Sequence, residues 1–595
     1  MYMNFLAAAV LVLSPVFVCA GNSLLPETIV VTGTRIPASF SGATRNVTVI
    51  EREDIENAPV RSVPELLSYM LGVDIQERGT YGIQADVSIR GSTFQQTLIL
   101  VDGIRINDSQ TAHHNMDLPV SIADIERIEI LRGPGSSVYG TDAFGGVINI
   151  ITRTPSEARF DAEISGGGDN TRAGLISGSR KWGNFGQSFS AEKKTSDGFQ
   201  YNNDFEISNF TGKSSFRLPG ADFNLLLGVT DKDFGPHNFY FTGGDEERER
   251  TVAKFVALNA RIALTERISL EPKLYSRRHD DRFGYKYGSN FYQNEHTTQQ
   301  NGIDVHILVK LTPQTSLVSG GEFSADKIES SNMGNRNQRI IAPYFEFNTT
   351  VFNKLSLDFG MRADYHSEWG RQLSPTAGLG WQIDKNWKLR SAAGRAFRSP
   401  SFTELYYLTL TNKGDSSLRP EKNISYEIGA DYSIDRISAG ITVFRRRESD
   451  VIDWIKNTLS DQQWLAKNIG RVAVNGAEIT TGIKMAPATL SIGYVFVDMD
   501  SQADYISKYA LRAPEHQFSS VISFPVAGIS ADARTVYKKR PGEKGYFLLA
   551  SGISKKYGKV ELFLRGTNLL NVSYEEITDA PSPPRWLGAG VKIKI

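Results

Sequence analysis

Leu355-Ser356-Leu357-Asp358-Phe359-Gly360-Met361-Arg362-Ala363-Asp364-Tyr365-His366 decides the fold class. Its odd-numbered positions are apolar and its even-numbered positions polar or small, which is the period of two of a strand with unlike faces. The same alternation runs through Ile424, Tyr426, Ile428, Ala430, Tyr432 and Ile434, and again through Ile437, Ala439, Ile441 and Val443. Strands of soluble sandwiches are typically about 5–6 residues long, whereas a strand that crosses a bilayer needs roughly 9–11. The length therefore reads as a membrane barrel. Lipid-facing and lumen-facing residues average out along such strands, so a mean hydropathy of −0.28 fits a membrane protein without any hydrophobic helix. Spread over about 22 antiparallel strands, the residues after Arg153 allow roughly 20 for each strand and its connection. At the chain end Leu587, Ala589, Val591, Ile593 and Ile595 alternate with Gly588, Gly590, Lys592 and Lys594. Such a strand is needed to meet the first one, because an open sheet edge in lipid leaves backbone groups unsatisfied.

Upstream the pattern changes. From Asn46 to Arg153 short apolar runs alternate with helix and turn signals. Ser62-Val63-Pro64-Glu65 reads as a capping box that starts a helix through Leu66, Leu67 and Met70, with Gly72 placed to end it. Ser121 and Asp124 repeat that start signal. Thr97 to Val101 is a continuous apolar run stopped by Asp102-Gly103, as expected of a strand covered on both faces, and Val147 to Ile151 is another. A lumen of about 22 strands leaks unless filled. The expected architecture is an all-β membrane protein in which residues 154–595 form the barrel and an α+β domain of residues 46–153 plugs it. Before the plug, Phe5 to Val18 is a short apolar run that ends in Val18-Cys19-Ala20. Residues 1–20 read as a signal peptide, and residues 21–45 as an N-terminal segment. Cys19 is the only cysteine, so the mature chain is expected to hold neither disulfides nor thiolate metal sites. The 66 basic and 66 acidic residues balance, which gives no global field for a nucleic acid. No nucleophile with a partnered base stands out, so an enzyme is not expected.

Several motifs recur in a defined order. Glu27-Thr28-Ile29-Val30-Val31-Thr32-Gly33-Thr34-Arg35 is an extended, β-branched segment near the expected mature N-terminus. Ser88-Ile89-Arg90-Gly91, Leu100-Val101-Asp102-Gly103 and Ile125 to Pro134 follow, the last containing Arg127, Arg132, Gly133 and Pro134. Val138-Tyr139-Gly140, Ala143-Phe144-Gly145-Gly146 and Val147 to Thr152 complete the series. Gly394 to Tyr406, Leu418 to Lys422 and Gly566 to Asn571 supply further signatures in the barrel. In order and spacing these resemble the TonB-dependent outer-membrane receptors, over nearly the whole mature chain. The resemblance implies a plugged barrel in the outer membrane of a Gram-negative-type bacterium, monomeric, that binds a scarce nutrient and imports it with energy delivered by the TonB protein. It identifies residues 27–35, with Glu27, Thr28, Ile29, Val30, Val31 and Thr32 at their core, as the TonB box. Such a segment can add itself to a partner's sheet as an edge strand; the alternative is a first strand docked on its own domain. Arg90, Arg127 and Arg132 are expected to make salt bridges between plug and wall.

Within that family the stretches from Val101 to Asp108 and from Gln110 to Pro119 look most like cobalamin transporters, so cobalamin or a related corrinoid is the expected cargo. A ferric siderophore is the alternative, and a passive porin or an adhesin a remote one. Candidate ligand contacts are Ser109, Gln110, His113, His114 and Asn115 on the plug, within a loop running to Asp117. Phe239, Tyr240, Phe241, Tyr285 and Tyr287 are candidates on outer loops, with an aromatic girdle at the lipid boundary as the other reading. No covalent cofactor is expected. Asp231, Asp233 and Asp245 are candidate calcium ligands, although their spacing fits no strict calcium loop.

Overall fold

The computed structural model describes residues 29–30, 32–36, 38–39, 43–240, 245–501, 505–577 and 580–595. The expected signal peptide, Glu27, Thr28, Val31 and Phe241 lie outside the described residues. Twenty-two antiparallel strands close into a barrel. Closure is made by Arg159–Gly167 against Trp586–Lys594, with Asp161 opposite Lys594 and Gly167 opposite Gly588. The alternating faces fall as their chemistry demands. On Leu355–His366, Phe359 and Tyr365 are exposed on the outside, whereas Asp358, Arg362, Asp364 and His366 are buried in the lumen. No helix among the described residues is long and apolar enough to cross a membrane.

The two ends of the barrel differ. At one end the strands turn within a few residues, as between Trp182 and Phe185 or between Met485 and Ala488. At the other, residues 399–420, 450–470, 502–515 and 568–585 make long connections. Short turns mark the periplasmic rim and long loops the outer face of such barrels. Exposed Trp182, Phe185, Trp381 and Trp387 cluster beside the short turns, so the aromatic girdle is visible at the periplasmic end. The longest strand, Asn290–Thr312, has 23 residues, well beyond what the bilayer needs, and the surplus builds a wall around the outer mouth.

The plug centres on a five-stranded sheet ordered Val47–Glu51, Ile125–Arg132, Gly146–Thr152, Thr97–Val101, Ile104–Arg105. Ile99, Val101, Ile128, Ile130, Ile148 and Ile150 form its core with Leu66 and Leu67. Barrel residues Leu226, Phe255 and Val536 join the same cluster, so the core of the plug continues into the wall. The helix expected after Ser62 spans Val63–Ser68, and the Ser62 hydroxyl accepts the Glu65 backbone N–H. The capping box itself does not form. The Glu65 carboxylate turns instead to the Arg61 backbone N–H and guanidinium, because a full ionic partner outcompetes a neutral amide.

Candidate functional site

Charged clamps hold the plug to the wall. Arg90 follows the strand Gln84–Ile89 in a left-handed turn, at φ 51° with Gly91 at φ 70°, and this turn aims its guanidinium outward. It reaches Glu427 at 2.8 Å and Glu478 at 2.6 Å on two barrel strands. Arg132 stands 3.7 Å from the same Glu478 and donates to the Leu71 carbonyl at 2.6 Å. Asp74 is paired with Lys538 at 2.9 Å and Arg540 at 3.0 Å. Burial raises its carboxyl, but the two cations outweigh that and hold it well below the usual carboxylate range. Asp102, at φ 50° beside Gly103, accepts from Lys213 at 3.0 Å. Gly140, at φ 75°, lies against Arg362 so closely that a Cβ would meet the guanidinium at 2.8 Å; only glycine fits there. Arg127 bonds Glu129 at 2.9 Å within its own strand.

Above these clamps the plug apex and the outer loops enclose a cavity of about 420 Å³. Asn412–Lys413, Trp464–Asn468, Ile452–Lys456 and Ile506–Ser507 form a small sheet outside the barrel. Asp453 binds it together by accepting from the backbone N–H groups of Tyr509 at 3.1 Å and Ala510 at 3.3 Å. That sheet carries Trp454 and Trp464 into the cavity wall, with Lys456 and Lys508 resting 5.0 and 5.6 Å from the Trp464 ring. Across the mouth, Tyr240 meets Phe283 edge-on at 5.2 Å and Phe283 stacks on Tyr285 at 5.3 Å. The floor is the plug: Gln110, Thr111, His113 and His114. His113 stacks on Phe94 at 4.6 Å, and Tyr509 meets Phe94 edge-on at 5.1 Å.

The floor is also ionic. Asp86 accepts from Arg78 at 2.8 Å and lies 2.7 Å from His113. Burial raises this carboxyl, yet the two partners hold it down at about 2. Burial lowers the His113 imidazole by more than Asp86 raises it. His114 goes the other way: burial lowers it, but Asp281 and Asp117 outweigh that and push it up to about 9. Asp117 is held far below the usual carboxylate range, against its burial, by Lys232 at 2.7 Å and His279 at 2.8 Å. Asp108, tied to Arg277, is held at about 2 in the same way.

The expected contact residues divide. Gln110, His113, His114, Tyr240 and Tyr285 converge on the cavity. Ser109 lines a neighbouring cleft, and Asn115 is buried with its side-chain oxygen accepting the Asp108 backbone N–H at 2.9 Å. Phe239 is not on the cavity wall; it packs with Tyr81, Phe205, Phe234 and Trp586, since a wholly apolar ring gains more from burial than from a wet mouth. The Tyr287 and Asp245 side chains are outside the described residues. Asp231 and Asp233 face Arg250 and Arg248, and no grouping of possible metal ligands among the described residues includes either. The sequence reading missed Trp454, Trp464, Lys508, Tyr509, Tyr407 and His296, all on the cavity wall. For Lys508 and Tyr509 the one local signal was the pairing of an aromatic with a lysine.

At the N-terminus Ile29–Val30 pairs with Ala38–Ser39. Thr32 is buried, its backbone N–H and hydroxyl both donating to Glu129 at 2.9 and 2.6 Å. Arg35 reaches Asp304 and Glu346 on the wall. These described residues of the expected TonB box are thus docked within the molecule.

Known proteins share this layout. A model of the TonB dependent receptor-like beta-barrel matches residues 140–569, and one of the TonB-dependent receptor plug domain matches residues 40–147. A curated relative named vitamin B12 transporter BtuB, from Vibrio vulnificus, is 23% identical over 93% of this chain and 92% of its own. An iron-regulated outer membrane virulence protein of Vibrio cholerae is 26% identical over 84% and 82%. Among solved structures, the siderophore receptor PirA from Acinetobacter baumannii superposes with a TM-score of 0.78 at 16% identity, covering 92% of this chain and 98% of that one. The ferric enterobactin receptor PfeA from Pseudomonas aeruginosa gives 0.77 at 17%, covering 96% and 100%.

Proposed function

This chain belongs to the TonB-dependent receptors of the outer membrane, and we propose that the nutrient it imports is cobalamin or a close corrinoid. The observation that carries this reading is the outer cavity, in which a plug apex and aromatic walls meet around one space of about 420 Å³. A large ring with apolar faces and amide edges suits such a surface: Tyr240, Phe283, Tyr285 and Trp464 offer flat faces, and Gln110, Thr111 and Asn294 offer fixed polar contacts. The relative named as a vitamin B12 transporter, alignable over 93% of this chain, supports the same cargo. Uptake then follows the family's logic. Ligand binds outside on the plug, TonB engages the N-terminal segment inside, and a pull on that segment rearranges the plug.

A second reading, a ferric siderophore, is favoured by Lys456 and Lys508 at the cavity wall, since ferric chelates are commonly anionic and lysine suits them. Calorimetry on the detergent-solubilised receptor tests both. Cyanocobalamin is expected to bind saturably at nanomolar levels, about −12 kcal/mol. Absence of saturable binding at micromolar concentration, with tight binding of a ferric siderophore, rejects the corrinoid.

A further inference from the structure

Two buried carboxylates beside the cavity floor have no lysine or arginine partner of the kind their neighbours have, and one imidazole lies between them. His114 comes from the plug turn Ala112–His114, Glu249 from the strand Asp245–Ala263 and Asp281 from the strand Ile268–Tyr287. They are 4%, 1% and 6% exposed. One nitrogen or oxygen atom from each lies within 4.8 Å of the other two, and His114 Nε2 is 3.4 Å from Asp281 Oδ2. Glu249 accepts from the Tyr240 hydroxyl at 2.7 and 2.9 Å, and Asp281 Oδ2 accepts from Gln110 at 2.8 Å. Asp281 Oδ1 is buried with no hydrogen-bond partner. Among the described residues no lysine or arginine forms an ion pair with either carboxylate. The contrast with the surrounding acids is direct: Asp117 has Lys232, Asp108 has Arg277 and Asp74 has Lys538 and Arg540.

Two buried carboxylates share a single imidazole, which brings at most one positive charge, and Asp281 Oδ1 is left without a partner; a bound cation would satisfy both. One nitrogen and two carboxylate ligands match a borderline divalent ion of the zinc class, whereas calcium takes 6–8 oxygens. Metal–ligand bonds of about 2.0–2.1 Å in a tetrahedral site set the ligand atoms roughly 3.3 Å apart, close to the spacing of the His114 and Asp281 atoms. Asp117, 3.8 Å from the other imidazole nitrogen of His114, stands where a carboxylate steadies a metal-bound histidine. All three candidate ligands line the cavity, so the site opens to the outside.

We propose that this floor binds one hydrated divalent transition-metal ion, of the zinc class, through His114, Glu249 and Asp281. Its ligands come from the plug and from two barrel strands, so the ion joins the plug apex to the wall at the place where the nutrient sits. The site is independent of the corrinoid reading. A receptor that binds cyanocobalamin but no zinc loses this proposal alone, and the reverse result loses only the corrinoid.

The test uses the full chain in detergent, its affinity tag removed and its metals stripped by a chelator. Titration with zinc chloride is expected to show one ion per receptor at micromolar or tighter affinity, with a rise in the thermal midpoint. Cobalt chloride is expected to give the visible absorption of a four-coordinate nitrogen and oxygen site. His114→Ala and Asp281→Asn should each weaken zinc binding at least tenfold; Glu249→Gln serves as a third probe if either fails to fold. Stoichiometric binding that is unchanged in the folded variants, no binding at micromolar zinc, or displacement of zinc by millimolar calcium overturns the proposal.

Discussion

Removing the Arg90 guanidinium leaves the carboxylates of Glu427 and Glu478 in the lumen without the charge that now bridges them. Breaking a buried pair from one side typically costs about 3–5 kcal/mol, so Arg90→Ala is expected to lower the thermal midpoint of the receptor and to raise antibiotic entry into cells that express it. A variant with unchanged melting and permeability would refute the clamp. Arg90 was legible because an arginine-glycine pair after a strand projects a charge at a turn. Arg127 shows where a linear pattern stops: it bonds Glu129 two positions on, on the same face of the same strand, a pairing that the spacing of charges along a strand does not distinguish from a reach to the wall. The cavity aromatics show the same limit. Tyr240 and Tyr285 sit near other aromatics in sequence, whereas Trp454, Trp464 and Tyr509 come from loops brought together only by a small sheet. Tyr509→Ala removes one aromatic face, worth roughly 0.5–1.5 kcal/mol, and should weaken ligand binding by about three- to tenfold in the same calorimetric assay; an unaltered dissociation constant would remove Tyr509 from the site.

The described part of the N-terminal segment is docked, and the proposed coupling to TonB asks the same stretch of chain to take a second state. In the resting molecule Ile29–Val30 pairs with Ala38–Ser39 and Thr32 is held by Glu129. To join a partner's sheet the segment has to give up those bonds and offer the same backbone groups elsewhere. Val30→Pro removes one backbone donor, and it is expected to abolish energised uptake while surface binding persists. Radiolabelled ligand separates the two steps; uptake at the parental rate would eliminate residues 27–35 as the coupling segment. The β-branched composition made the extended conformation readable. Docking on Glu129 was not readable, because that carboxylate lies 97 positions away and only the folded sheet brings it near. Local start signals fared unevenly for a similar reason: Ser62 caps its helix as spacing predicts, but Glu65 follows the nearby Arg61.

Barrel and plug build separate sheets, joined at the outer side where the Phe402 and Thr403 backbone N–H groups donate to the Ser109 and Gln110 carbonyls. The wall closes through Arg159–Gly167 and Trp586–Lys594 with no plug strand in its sheet, so deletion of residues 46–153 is expected to leave a barrel that still assembles, as judged by retarded migration without heating, and that admits large antibiotics. Continued exclusion of those solutes would contradict a lumen closed by the plug. Strand number and the inside-outside sense of each face were readable at this scale because period-two alternation survives any loop length. The cavity was not, because it depends on how the long loops fold back. The order of the plug sheet carries a mechanical meaning. Val47–Glu51 is both the first strand of the plug in the chain and the outermost strand of its sheet, matched to Ile125–Arg132 through five residue pairs. A tug arriving from the N-terminus would first have to free Thr32 from Glu129 and Arg35 from Asp304; it would then meet an edge strand that peels from its Val47 end one rung at a time, leaving Ile125–Arg132 paired with Gly146–Thr152. Opening by that route would begin like tape lifted at a corner, against those docking contacts and five rungs rather than against the whole domain.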